Sequence, residues 1–300
     1  MNKRLRIFLW IFAACSWVYV IYKLCTYSEW AVLSERMRET LSECWWLGVL
    51  LLMPLNILFE ALRWRTLLGK EQPMSVRESF VAVLRGYVGG VGTPWRAADY
   101  VYRLNDEERM LERWGLGMTG GVLMTTVIIL FGLPSAIVYF FFYPQQDTML
   151  LFSRWLIIFA ILTAVILLTL FIGKVRRWAK RIVAAIRTLG TKGICITTVW
   201  TVCRYLTFCL QYYLCLRMFT VELTGIALLG IPTYYLFVTV LQTNIALDGL
   251  VRAGMSVFVF APLGIGWVEL SMAGMVLWLL NNLLPLTAGS ILAVRKLRQT

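Results

Sequence analysis

Charged residues inside otherwise apolar stretches are the features of this sequence most able to do chemistry. Arg204 is the sharpest case, because no other charged residue lies between Lys192 and Arg217. An arginine in the middle of a membrane span costs about 2.5–3.5 kcal/mol on insertion scales, so we expect it to face the interior of a helix bundle and to have a partner. The alternative is a purely structural ion pair. The candidate partners are Asp99, Asp248, Glu269 and a lipid phosphate.

A glycine-rich segment, residues 86–92, leads into a second candidate site. Each glycine in a helix interior costs about 1 kcal/mol against alanine, so the four glycines here predict a break in the helix. Thr93 and Pro94 then have the residue types of an N-cap and a first helical position. The free N–H groups of such a helix start suit a phosphate or carboxylate, and Arg96 and Asp99 follow closely. The alternative is a cytoplasmic loop with a short helix.

A second interrupted segment, residues 242–254, carries Asp248 and Arg252 together with Gly249 and Gly254. Paired glycine-broken segments in the two halves of a chain are the best sequence pointer to a transporter binding site. The alternative is an ordinary cytoplasmic turn between two spans. From these segments and the isolated arginine we predict a substrate-binding set of six residues. The set is Thr93, Arg96, Asp99, Arg204, Asp248 and Arg252.

The remaining chemistry-bearing residues do not form a catalytic pattern. Glu60 lies near the end of an apolar run, where we expect it to reach the membrane surface beside Arg63 and Arg65. The acidic residues at 106–112 are of the type that holds magnesium in a transferase, but a solvated loop explains them better. The sequence has no histidine and no Cys-x-x-Cys pair, which argues against zinc sites and Ser-His-Asp triads. We therefore predict no catalytic residue, no metal and no cofactor.

The elements that must position these residues are membrane helices. The chain is 60% hydrophobic and 15% charged, whereas a soluble domain carries about 25% charge. Its apolar runs approach the ~17–25 residues that span a bilayer, and backbone groups in lipid must be paired within helices. We predict an all-α, single integral membrane domain with about eight transmembrane helices and one or two glycine-broken segments, re-entrant or cytoplasmic. The predicted spans are residues 7–25, 44–68, 114–142, 153–173, 193–217, 223–247, 252–268 and 270–294.

The net charge of +13 is arranged as flanks of the apolar runs. This arrangement favours contact with anionic headgroups and gives no reason to expect nucleic acid as a partner. Eight crossings place the basic clusters at 3–6, 63–113, 174–192 and 295–298 on one side, so both termini are predicted to be cytoplasmic. Residues 174–192 have the pattern of a basic amphipathic helix on the membrane surface, and the alternative is a cytoplasmic extension of the preceding span.

Three short motifs resemble the transmembrane (flippase) domain of lysylphosphatidylglycerol synthases and the stand-alone membrane proteins that share it. They are Ala-Leu-Arg-Trp-Arg-Thr-Leu-Leu at 61–68, Gly-Thr-Pro-Trp-Arg-Ala-Ala-Asp at 92–99 followed by Tyr-Arg-Leu at 102–104, and Val-Arg-Ala-Gly at 251–254. The likeness covers nearly the whole chain in layout. It departs from the family where Ala253 replaces a glutamate, where Ala98 replaces a glycine and where residues 244–248 replace a Pro-Gly-Gly. We expect no synthase domain, since the spans occupy the length.

The resemblance implies transfer of a lipid headgroup between leaflets, and the placement of charges leads to the same class of function. We predict a lipid flippase or translocator of the inner cell membrane that binds an anionic or zwitterionic headgroup in a polar cavity. The expected partners are membrane lipids of the phospholipid or polyprenyl-phosphate type. The alternatives are an intramembrane transferase acting on such a lipid and a non-transporting accessory protein.

Overall fold

The computed structural model describes residues 44–69, 73–91, 99–103, 110–144, 173–241 and 245–297, with scattered positions before residue 44. Every regular element within these ranges is helical, which confirms the all-α prediction. In chain order the elements are α1 (Trp45–Leu68), α2 (Val76–Gly90), α3 (Asp99–Tyr102), α4 (Met110–Phe142), α5 (Gly173–Met218), a 3-10 turn (Gly225–Leu229), α6 (Gly230–Val240), α7 (Ile245–Phe260), a 3-10 turn (Ala261–Leu263), α8 (Trp267–Trp278), a π-helical segment (Leu279–Leu283) and α9 (Leu284–Leu297).

Within the described ranges, four helical stretches are long and apolar enough to cross a membrane. They are Trp45–Leu68, Gly115–Phe142, Leu189–Met218 and Trp267–Leu292, and a shorter apolar helical stretch covers Gly225–Val240. The chain is therefore a helical membrane protein by the length and composition of its helices. The predicted spans at 7–25 and 153–173 lie almost entirely outside the described residues, so the count of eight stays a prediction.

The predicted boundaries shift most in the last third of the chain. The span predicted at 223–247 is a 3-10 turn followed by α6, which ends at Val240. The span predicted at 252–268 begins earlier, because α7 starts at Ile245 and ends at Phe260. Asp248 and Arg252 lie inside this helix and pair across one turn, so these charges do not interrupt it.

Local sequence explains where several helices begin or bend. α2 starts with a capping box in which the Glu78 N–H donates to the Ser75 hydroxyl and the Ser75 N–H donates to the Glu78 carboxylate. The hydrogen bonds from the Ser75 backbone and side chain lower the pKa of Glu78. In α5, Gly190 has φ 64° and kinks the helix between its basic and its apolar part. Residues 174–192 lie within α5, on both sides of this kink. Their position on a membrane surface stays a prediction.

Two apolar cores hold the described helices together. The larger core contains residues of α4, α5, α6, α7 and α8 and includes a group of fully buried aromatic rings. The smaller joins the second half of α1 to α2 and α9 around Trp64 and Val83. The buried charges lie where the two cores meet, since Glu60 is flanked by small-core residues in α1 and Arg204 precedes Tyr205 of the large core.

The helix break predicted for residues 86–92 is wrong for residues 86–90, which all lie within α2. α2 continues through Gly86 and Gly89 because these glycines accept the close approach of α3. A Cβ atom on Gly86 would lie 1.8 Å from Asp99 Oδ1, and one on Gly89 would lie 2.2 Å from the ring of Tyr102. Packing of α3 therefore outweighs the low helix propensity of glycine.

The predicted break at 242–254 is also wrong from Ile245 onward, since α7 is continuous through Gly249 and Gly254. Residues 242–244 lie outside the described ranges.

Candidate functional site: a buried cluster of arginines and carboxylates

Glu60 of α1 is the centre of a cluster of buried charges. Its side chain is 3% exposed and contacts three arginines. Oε2 lies 2.5 Å from Arg63 Nη2 and 2.5 Å from Arg204 Nη1, and Oε1 lies 2.6 Å from Arg103 Nη1. One carboxylate therefore joins arginines from α1, from the end of α3 and from α5.

Arg103 is held on several sides at once. Its Nε and Nη2 donate to the two oxygens of Asp99 at 2.7 and 3.0 Å, a bidentate pair of the kind that guanidinium groups form best. Its guanidinium also lies 4.8 Å from the ring centre of Tyr100 and 5.4 Å from that of Trp64. The two aromatic faces favour the positive charge of this buried side chain.

The other two arginines connect the cluster to further helices. Arg63 Nη1 donates to the backbone oxygen of Gly120 in α4 at 2.8 Å. Arg204 Nε donates to Asn56 Oδ1 at 2.8 Å, and its guanidinium lies 5.2 Å from the ring centre of Phe208. The cluster thereby ties α1, α3, α4 and α5 to one another.

The five charged residues do not neutralise one another. Among the described residues, three arginines face two carboxylates, Glu60 and Asp99, so the described part of the cluster has one positive charge in excess. Buried charges are retained only when they are paired, and an excess of one sign favours a further ion of the opposite sign. Arg204 is the most accessible of the three arginines, with 13% of its side chain exposed against 3% for Arg63 and 4% for Arg103.

The arrangement suits binding better than catalysis. Both oxygens of the Glu60 carboxylate are already engaged by guanidinium groups, which leaves it little freedom to act on a substrate. Among the described residues, no group of three or more histidine, cysteine or acidic side chains is placed to hold a metal ion. The acidic residues at 106–108 lie outside the described ranges.

A second charged cluster lies on α7. Arg252 Nε donates to Asp248 Oδ2 at 2.9 Å, and Asn282 Nδ2 donates to the same oxygen at 3.0 Å. Asp248 and Arg252 carry opposite charges, so this pair is neutral. Their side chains are 12% and 13% exposed.

A chain of side-chain amides extends from the first cluster and includes a residue next to the second. Asn56 donates to Asn281 Oδ1 at 3.1 Å, Asn281 donates to Gln211 Oε1 at 2.7 Å, and Gln211 donates to the backbone oxygen of Val49 at 2.9 Å. Asn281 and Asn282 are neighbours in the π-helical segment Leu279–Leu283. One asparagine therefore joins the network of Arg204 and the next joins the pair of Asp248 and Arg252.

The predicted site residues fall into three groups. Arg204 and Asp99 belong to the Glu60 cluster, and Asp248 and Arg252 form the α7 cluster. Thr93 and Arg96 lie outside the described residues.

The partner of Arg204 was predicted wrongly. Arg204 pairs with Glu60 and Asn56, not with Asp99, Asp248 or Glu269. The prediction that Glu60 reaches the membrane surface is also wrong, because its carboxylate is buried among arginines. Sequence reasoning missed Asn56, Gln211, Asn281 and Asn282, whose signal was their polarity inside predicted spans.

Comparison with known proteins leaves this geometry as the basis for inferring function. No family model matches the sequence, no curated protein is significantly similar to it, and no solved structure matches its fold. The resemblance to the lysylphosphatidylglycerol synthase flippase domain therefore stays a prediction.

Proposed function

We propose that this protein binds the phosphate-bearing headgroup of a membrane lipid at the Glu60 cluster and moves it between the two leaflets. The observation that carries the proposal is the excess positive charge among the five described residues of the cluster, set between helices apolar enough to cross a membrane. A phosphate group supplies the missing negative charge and the oxygen atoms that guanidinium groups bind in pairs.

The path of the headgroup follows from the exposure of the arginines. Arg204 has the largest accessible surface of the three and shares its partner Glu60 with Arg63 and Arg103. A phosphate can therefore bind Arg204 while Glu60 keeps two other guanidinium partners. The exchange replaces one charge-assisted contact with another, which keeps its free-energy cost small.

The proposal includes a location and an energy source. The basic flanks of the apolar runs support an inner membrane protein with both termini in the cytoplasm. The glycine-rich segment lacks the Lys-Ser/Thr of a P-loop, so transport runs down a gradient of the lipid or is coupled to an ion gradient.

The test is a headgroup-accessibility assay in liposomes that contain the purified protein and a fluorescent phospholipid. Replacing Arg204 by Ala removes a charge-assisted contact worth about 1.5–3 kcal/mol, so we expect transport to fall by roughly tenfold or more. Arg204→Lys keeps the charge and should retain part of the activity. Arg217→Ala is the matched control, since Arg217 lies on the same helix and pairs with the exposed Glu222. Full transport by the Arg204→Ala protein would contradict the proposal.

One observation favours a second candidate, a non-transporting accessory protein. Glu60 already has three arginine partners and Asp99 is paired with Arg103, so the cluster also suits a purely structural clamp between four helices. Mass spectrometry of lipids that co-purify with the protein separates the two candidates. A bound phospholipid that is lost in the Arg204→Ala variant supports transport, whereas its absence from both proteins supports the clamp.

A further inference from the structure

The first part of α5, residues 173–189, has charges of one sign only, and they are separated from its apolar residues. It contains six lysines and arginines and no acidic residue. Plotted at about 100° per residue, the apolar residues other than alanine fall in one arc, and no basic residue falls among them. The apolar set is Val175, Trp178, Ile182, Val183, Ile186 and Leu189, and the basic set is Lys174, Arg176, Arg177, Lys180, Arg181 and Arg187. We call residues 173–189 the basic helix, because the structure shows them as helical throughout.

The basic helix ends where a membrane span begins. Gly190 has φ 64° and ψ 174°, and it lies at the start of the apolar stretch Leu189–Met218. A positive φ of this size favours glycine, since it strains a residue that has a Cβ atom. The chain therefore changes direction at the end of the span, and the basic helix is held beside the bilayer by the residues that follow it.

The described side chains of the basic helix are open to their surroundings. A Cβ atom added to Gly173 or Gly190 would meet no described atom within 4 Å, so both ends of the helix are uncrowded. Val183, in the apolar set, is 47% exposed. Lys180 and Arg187, in the basic set, are exposed as well. An apolar face that is open at Val183 is stable only if something outside the chain covers it.

We propose that the basic helix lies in the plane of the membrane surface and binds the headgroups of anionic phospholipids. Its apolar face then enters the boundary between headgroups and acyl chains, and its lysines and arginines meet the negative charges of the lipids. A helix projecting into water would leave the apolar face uncovered, and a helix crossing the bilayer would place six charges in hydrocarbon. The charge of the helix selects anionic over zwitterionic lipids, because only the former supply a net negative charge.

This surface is separate from the Glu60 cluster. The basic helix precedes Gly190, whereas Arg204 lies in the part of α5 that follows it. The inference therefore goes beyond the proposed function and does not require that the protein moves a lipid between leaflets.

The test is hydrogen–deuterium exchange of the full-length protein in nanodiscs of phosphatidylcholine, with and without phosphatidylglycerol. Each basic residue near an anionic surface contributes about fivefold to affinity. We therefore expect exchange of the amides of the basic helix to slow by about tenfold or more when phosphatidylglycerol is present, since a bound helix opens less often. High salt should remove most of this difference, because it screens charges at the membrane surface.

A pair of double variants locates the effect. Lys180→Gln combined with Arg187→Gln removes two charges from the basic helix and keeps its helix propensity, so most of the protection by phosphatidylglycerol should be lost. Arg65→Gln combined with Arg77→Gln is the matched control. It removes two exposed charges from α1 and α2 and should leave the protection as in wild type.

Two outcomes would overturn the proposal. Equal exchange of the basic helix in both kinds of nanodisc would exclude anionic lipid as the occupant and favour the acidic surface of a protein. Equal protection by phosphatidylglycerol in the two double variants would show that the lipid acts elsewhere in the chain. Neither outcome decides the proposed function, which is tested by transport and by the Arg204 variants.

Discussion

The two buried charged clusters of this protein differ in net charge and in the way their residues are paired. The Glu60 cluster is densely paired and, among the described residues, has an excess positive charge, and its contacts tie four helices together. The α7 cluster is electrically neutral, and its Arg252 side chain interacts with both Asp248 and the Tyr234 hydroxyl. Among the described residues, the first cluster therefore has an excess of charge and the second has none.

The largest expected difference between the clusters is the effect of neutralising their carboxylates. Glu60→Gln leaves three arginines without their shared partner, and breaking a buried ion pair costs about 3–5 kcal/mol. Asp248→Asn removes the partner of one arginine, so the loss of stability should be smaller. Thermal unfolding in detergent measures both.

Glu222→Gln is the control for the carboxylate-to-amide change, because 69% of the Glu222 side chain is exposed. An exposed ion pair contributes about 0–1 kcal/mol, so this variant should unfold close to wild type. Equal losses in the Glu60 and Asp248 variants would remove the basis for treating the clusters as different.

Particular residues show how far the sequence alone predicts this site. Arg204 could be predicted to be buried, because it is the one charged residue between Lys192 and Arg217, a stretch long enough to span a membrane. Glu60 could not, since a glutamate three residues before an arginine near the end of an apolar run fits a membrane surface equally well. Its partners Arg103 and Arg204 are distant in the chain, and no local sequence pattern predicts those ion pairs.

Some helix boundaries were predicted wrongly for a similar reason. Gly86 and Gly89 predict a break when helix propensity is considered alone, yet they are the positions at which α3 packs on α2. Asn281 and Asn282 lie in an apolar run that predicts a simple span, and the π-helical segment that aims them at two clusters has no sequence signature. Propensity and periodicity are local signals, whereas these features depend on packing between helices.

The next largest difference concerns glycines beside the two clusters. In Gly86→Ala the new methyl group would lie 1.8 Å from Asp99 Oδ1, so Asp99 and Arg103 must move. Overpacking of this kind costs about 1–3 kcal/mol. Gly254 on α7 has open space around the same position, and alanine there should stabilise the helix by about 1 kcal/mol. Thermal unfolding of the two variants should therefore shift in opposite directions, and a destabilised Gly254→Ala protein would show that α7 packs more tightly than the structure indicates.

The smallest expected effect separates two tyrosines of the α7 cluster that stack on each other. The Tyr212 hydroxyl shares a hydrogen bond with Ser256, so Tyr212→Phe should lower the free energy of unfolding by about 1 kcal/mol. The Tyr234 hydroxyl interacts with Arg252 in poorer hydrogen-bond geometry, so Tyr234→Phe should lower the free energy of unfolding by less than Tyr212→Phe does. Both changes keep the ring stack, which makes denaturant unfolding in detergent a direct comparison. If Tyr234→Phe destabilises the protein as much as Tyr212→Phe does, the Tyr234 hydroxyl is fully hydrogen-bonded in the folded state. The α7 cluster would then be paired as completely as the Glu60 cluster.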